Sequence, residues 1–150
     1  MTDIKHSVII NRPADEIWKF MSTVEDIPTW DIGVLDARVT SGGLLGVGAT
    51  IETRRQFFGR ERVGKVQITE WQPPRMAAFQ MKLEQATATQ RYLIEPLENG
   101  TRLTVTAELI FNGWWKWIAP LMARRLKRDE SGDLANIKRI LENMPAERAS

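Results

Sequence analysis

The chain has 150 residues, 43% of them hydrophobic and 27% charged, with a formal net charge of +2 at pH 7. That length suits one domain with a sizeable core, and the small net charge makes no global demand for a nucleic-acid partner. With no cysteine and a single histidine, disulfides, thiolate chemistry and a histidine-rich metal site are excluded.

No apolar run approaches the ~20 residues needed to cross a bilayer. The N-terminal MTDIKHSVII lacks the basic-then-apolar layout of a secretion signal, so a cytoplasmic location is expected. Six tryptophans are many for this length, and Trp often lines pockets or interfaces.

Residues 3–10 (DIKHSVII) are rich in β-branched side chains and read as a first strand. In the following NRPADEIWKFM, Asn11 or Arg12 is placed to cap a helix, Pro13 suits its first position, and Asp15 and Glu16 favour its positive end. Ile17, Phe20 and Met21 form its buried face, and it ends near Ser22. A second short helix is expected over residues 24–27, before Pro28.

Strands with turn signals between them follow over residues 34–40, 49–57, 60–71, 76–83, 86–96 and 101–111. A glycine-rich loop fills 41–48, Phe58-Gly59 makes one turn, and Pro73-Pro74 breaks the chain. Asn99-Gly100 is the clearest hairpin signal, because both residues tolerate positive φ. Short connections throughout predict an antiparallel meander. After Gly113 the period becomes helical, with a break expected at Pro120. Met122, Leu126, Leu134, Ile137, Leu141 and Met144 recur at helical spacings. Residues 120–143 make a rod about 36 Å long, enough to lie across the sheet. Pro145 ends it, giving one domain over 1–145 and a frayed tail over 146–150.

The expected fold class is α+β, with a curved antiparallel sheet of about seven strands wrapped on the long C-terminal helix. A bent sheet cannot meet a straight helix everywhere, so an apolar gap suited to a ligand remains. Alternation along the strands assigns its lining. Leu103, Val105, Ala107, Leu109 and Phe111 point inward and pair with Gln90, Tyr92 and Ile94. Ile51, Thr53, Arg55 and Phe57 share a face, as do Val66, Ile68 and Glu70, and Phe79, Met81 and Leu83. Trp30 is placed at the mouth, and Trp115, Ile118, Met122 and Leu126 complete the wall from the terminal helix.

RPADEIWKFMSTVEDIPTW resembles the first strand-helix-helix unit of the polyketide cyclase/dehydrase branch of the START-like (SRPBCC) superfamily, which also holds the birch-pollen allergen type. ITEWQPPRMAAF, YLIEPLENGTRLTVT and the terminal DLANIKRILE continue the likeness over nearly the whole chain. The resemblance implies a helix-grip fold and a hydrophobic cavity. It does not imply one reaction, since members range from carriers to cyclases.

Three polar residues of the inner face have catalytic potential. Tyr92 can donate a proton to a carbonyl, Arg55 can hold an enolate or carboxylate, and Glu70 can act as a base. The plainer reading is an Arg55–Glu70 ion pair at the cavity edge beside a packed Tyr92. Trp30 is either a gate or a packing plug. The glycines at 42, 43, 46 and 48 lead into a strand, not a helix, which argues against a phosphate loop and for a lid or plain turn. Arg54, Arg55, Arg60, Arg62 and Lys65 are interrupted by Glu52 and Glu61, a pattern of cross-strand pairing rather than nucleic-acid contact. His6 is expected to be a satisfied sheet histidine.

GWWKWIAPLMARRLKR (113–128) is the most unusual segment. Its tryptophans and basic residues suit a membrane surface. Asp129, Glu130 and Asp133 offset that charge, so the favoured reading is that the tryptophans close the cavity above a solvated basic face. Three functions follow from these features: a carrier of a small hydrophobic ligand, a cyclase, aromatase or dehydratase acting on a polyketide-like substrate, and a peripheral membrane module. No cofactor or metal is called for.

Overall fold

The computed structural model describes residues 2–57, 59–82 and 86–144. It consists of β1 (Thr2–Ile10), α1 (Ala14–Ser22), a 3-10 turn (Val24–Asp26), α2 (Ile27–Trp30), β2 (Val34–Val39), β3 (Thr50–Phe57), β4 (Arg60–Gln72), β5 (Met76–Lys82), β6 (Ala86–Leu97), β7 (Gly100–Phe111), a second 3-10 segment (Gly113–Ile118) and α3 (Ala119–Asn143). The strands form one antiparallel sheet in the order β1-β7-β6-β5-β4-β3-β2. This is the helix-grip arrangement. Leu83, the Phe58 half of the first turn, Pro145 and the tail lie outside the described residues.

Pro28 and Pro120 start helices rather than ending them. Pro28 lies in the first turn of α2, and Pro120 is the second residue of α3, positions where a missing N–H costs nothing. The expected break at Pro120 therefore falls just before it, between Ile118 and Ala119, where the 3-10 segment gives way to α3. Pro13 is itself the N-cap of α1, with no side-chain cap bond. Arg12, expected as a candidate cap, instead donates to the carbonyls of Glu142 (3.0 Å) and Met144 (2.8 Å). A cation at a helix C-terminus satisfies its orphan carbonyls. Glu142 in turn accepts from the Asn11 backbone N–H at 2.8 Å and from Lys138 at 2.8 Å. These bonds tie the end of α3 to the β1–α1 junction.

Packing is tightest at that end. Leu134, Ile137 and Leu141 of α3 bury against Ile10, Ile17, Phe20, Ile94, Leu103 and Val105. A second cluster joins Val24, Ala49, Ile51 and Ile68 under the first helices. A third joins Ala86, Leu109 and Phe111 to Met122 and Leu126 near the start of α3. The interior is thus three separate cores around a middle that side chains do not fill. Met144, expected on the buried stripe, is past the last helical turn and exposed.

The last hairpin turns one residue earlier than expected. Leu97 pairs with Gly100, so Glu98-Asn99 are the central residues. Gly100 has φ +143°, and a Cβ there would lie 2.7 Å from the Ile10 carbonyl oxygen. Both effects oppose any side chain. Gly100→Ala is expected to cost about 1–3 kcal/mol in urea unfolding, by strain at a special φ and a backbone clash. An unchanged midpoint would contradict this reading.

Candidate ligand-binding site

Between the three cores lies a cavity of about 910 Å³. Trp30, Ile51, Arg55, Val66, Phe79, Met81, Gln90, Tyr92, Leu109, Phe111, Met122 and Leu126 all line it. Ile68 does not: it is fully buried in the second core behind the wall. The side chains of Phe57, Trp115 and Ile118 lie outside what the structure describes.

Glu70 is the clearest correction. A β-bulge interrupts β4 between Ile68, opposite Phe79, and Glu70, opposite Ala78. One extra residue reverses the alternation beyond it. Glu70 therefore leaves the inner face and pairs with Arg91 at 2.8 Å on the outside. Trp71 takes the inner side instead, packed edge-on against Trp18 of α1 with ring centroids 4.8 Å apart. The expected Arg55–Glu70 pair does not exist. Arg55 binds Asp31, just after α2, at 3.1 Å.

Asp31 belongs to a polar cluster that strand and helix patterns did not reveal. Asp133 and Glu130 of α3, read in sequence as offsetting surface charge, are 3% and 2% exposed. Both line the cavity with Asp31, Arg55, Gln90 and Tyr92. The Ile32 backbone N–H donates to Asp133 Oδ1 at 2.7 Å, and the Gln90 amide donates to Glu130 Oε1. Asn136 donates to the Trp30 carbonyl at 3.3 Å, so α2 is held to α3. Trp30 and Phe79 each meet the Tyr92 ring edge-on, with centroids 6.3 and 6.0 Å away.

Burial governs the charge state of this cluster. Burial, then the neighbouring Asp31, pushes Asp133 up to about 9. The same two causes push Glu130 up to about 7. Burial also raises Asp31, by more than Arg55 lowers it. Burial would lower Arg55, but Asp31 raises it further. Burial, reinforced by Glu130, holds the Tyr92 phenol well above its ordinary range. Three carboxyls share one guanidinium, so protons stay that exposed acids would have lost. Arg55 Nε, Glu130 Oε2 and Trp30 Nε1 are buried with no hydrogen-bond partner among the described residues. Such atoms normally find a partner, and all three residues face the cavity.

Arg54 pairs with Asp36 (2.8 Å) and Glu61 (3.4 Å), and Arg38 with Glu52 (3.0 Å), the cross-strand pattern expected of the basic hairpin. Trp114 and Trp117 do not close the cavity; both are exposed and neither lines it. His6 lies opposite Val105 in the sheet, but its Nε2 is buried without a partner among the described residues, so it is not the satisfied histidine expected. Leu45 of the glycine-rich loop lines the cavity while Leu44 and Val47 are exposed. Among the described residues no cluster of His, Asp and Glu could hold a metal ion, and no helix is long and apolar enough to cross a membrane.

A carboxyl whose folded pKa is raised keeps its proton after the unfolded chain has lost one, so it opposes folding as pH rises between the two values. For Glu130 that window runs from 4.5 to about 7, and for Asp133 from 3.8 to about 9. Unfolding free energy should therefore fall across this range. Glu130→Gln removes its share and should raise stability at pH 8 by roughly 1–3 kcal/mol relative to the parent, while leaving pH 4 nearly unchanged. Denaturant titrations at the two pH values check this, and an equal shift at both would contradict it.

A family model described as polyketide cyclase / dehydrase and lipid transport matches residues 1–142. Among solved structures, the di-domain aromatase/cyclase BexL from the BE-7585A biosynthetic pathway is similar, with TM-score 0.78 and 16% identity over 95% of this chain and 47% of that one. The chain thus spans about half of BexL's length. The Zhui aromatase/cyclase from Streptomyces sp. R1128 is similar with TM-score 0.76 and 15% identity, covering 93% of each chain. Ara h 8.0201 is similar with TM-score 0.72 and 13% identity over 94% of this chain and 98% of that one. At these identities the likenesses show the fold. No curated protein matches the sequence. The family-model match over residues 1–142, on a helix-grip fold with an open interior, places the chain in the polyketide cyclase/dehydrase and lipid transport family.

Proposed function

We propose that the protein binds a small lipophilic molecule whose one polar end carries an oxygen acceptor. The observation that carries this reading is a largely apolar hollow with a buried polar cluster at one side, where Arg55 Nε, Glu130 Oε2 and Trp30 Nε1 lack partners among the described residues. A volume of about 910 Å³ lies within the range of small-molecule sites. Apolar burial at about 25 cal/mol per Å² supplies the drive, less the costs of association. The unpartnered donors, together with acids that keep their protons, orient the polar end. Membership of a family of cyclases and lipid carriers supports both a bound hydrophobe and an apolar wall.

A second reading, an enzyme of the cyclase or aromatase kind, is favoured by one specific observation. Glu130, held near 7, can both donate and accept a proton at neutral pH, and it faces the same space as Arg55 and Tyr92. In this reading Arg55 stabilises an enolate oxygen while Glu130 moves the proton. The similar aromatase/cyclases BexL and Zhui fit this alternative.

Thermal unfolding with a panel of aromatic and polyketide-like hydrophobes tests the binding reading. At saturation at least one should raise the midpoint by several degrees, and Ala88→Trp, which fills the cavity from β6, should abolish that rise. A panel without any shift would count against binding. For the enzyme reading, Tyr92→Phe and Glu130→Gln should each lower turnover of a polyketide-like substrate by about 10²-fold or more with ligand binding retained. Unchanged turnover in both would remove it.

A further inference from the structure

We propose that the end of the molecule around the cavity opening docks on an anionic lipid surface. The strand registers bring several elements to that end. Phe57 pairs with Arg60 at the β3–β4 turn, well beyond Val66 opposite Met81. Lys82 pairs with Thr87, and Ala86 with Phe111, so β7 finishes on the same side as the β3–β4 and β5–β6 turns. The 3-10 segment and the start of α3 follow β7 directly. Exposed Arg60, Arg62 and Val63 of β4 and exposed Arg128 of α3 all border the cavity, so it opens here.

Two properties of this end are unusual together. Trp114, Trp117 and Leu121 are 64%, 86% and 66% exposed. On α3 the inward residues are Met122 and Leu126, packed on the third core, so the outward stripe runs through Leu121, Arg124 and Arg128 at helical spacing. Residues 113–128 hold five basic side chains and no acidic one: Lys116, Arg124, Arg125, Lys127 and Arg128. Of the three acids that follow, Asp129 is half-buried and borders the cavity. Glu130 and Asp133 turn into the cavity and are buried. On the neighbouring hairpin Glu61 is engaged by Arg54 at 3.4 Å.

This combination fits lipid better than an acidic protein. Solvent-exposed indole rings have an apolar body and one N–H, which suits the headgroup boundary, and flanking Lys and Arg meet anionic headgroups. The segment is too short and too charged to span a bilayer, and the docked molecule would lie on its surface with the cavity mouth toward the lipid. Docking does not depend on what the cavity holds.

Co-sedimentation of the full chain with vesicles of phosphatidylcholine alone or mixed with phosphatidylserine tests the proposal. The protein should pellet with the mixed vesicles at low salt, much less with phosphatidylcholine alone, and be released by raising salt. Trp114→Ser with Trp117→Ser, and separately Arg124→Glu with Arg128→Glu, should each reduce partitioning by at least about tenfold while the thermal midpoint stays as in the parent. No binding to the mixed vesicles at low salt would overturn the proposal. So would binding that neither double substitution weakens, or a dimer in solution that Trp117→Ser dissolves, since a second copy would then be the occupant of this surface.

Discussion

The structure depends on a mismatch between the two halves of one straight helix. The C-terminal half of α3 is packed onto β1, β6 and β7 through Leu134, Ile137 and Leu141 and clamped by Arg12 and the Asn11–Glu142–Lys138 bonds. A rigid rod fixed at one end cannot follow the sheet as it curves away. Among the described residues the other half packs apolar side chains on the sheet again at Met122 and Leu126, against Leu109 and Phe111. What lies between is the cavity, and its existence follows from the stiffness of the helix rather than from any lining residue.

That geometry also explains the electrostatics. Residues 130 and 133 sit on the part of α3 that faces the gap, so their carboxyls lie neither in water nor in a packed core. The α2–β2 connection brings Asp31 to them, and β3 supplies Arg55. With three acids and one guanidinium, partial protonation is the stable state. Such a site keeps donors available at neutral pH and leaves polar atoms unsatisfied, a cost to folding that functional sites commonly carry.

Much of the fold was legible because its signals are periodic. Alternation along residues 101–111 marks an inward face of Leu103, Val105, Ala107, Leu109 and Phe111, and register with β6 places Tyr92 and Gln90 beside them. The bulge at Glu70 was not legible, since one inserted residue changes no composition and only the pairing exposes it. Asp31 was not legible either, because its role depends on a contact with α3 about a hundred residues away in sequence. Glu130 and Asp133 did leave a signal. They continue the helical stripe Met122, Leu126 and then Ile137, Leu141 at intervals of three and four, so polar residues stood where the apolar face required burial. The exposure of Trp114 and Trp117 was not legible for the opposite reason: large apolar residues need not be buried.

The proposed position of a guest is between the cores, with its polar end at the Asp31–Arg55–Glu130–Asp133 cluster. Methyl NMR of the protein titrated with a naphthalene-type ketone addresses it residue by residue. Shifts are expected at Ile51, Met81, Leu109 and Met122, with Leu103 and Ile137 of the packed core unmoved. Shifts confined to exposed residues such as Leu44 and Leu121, with the cavity methyls silent at saturation, would contradict it.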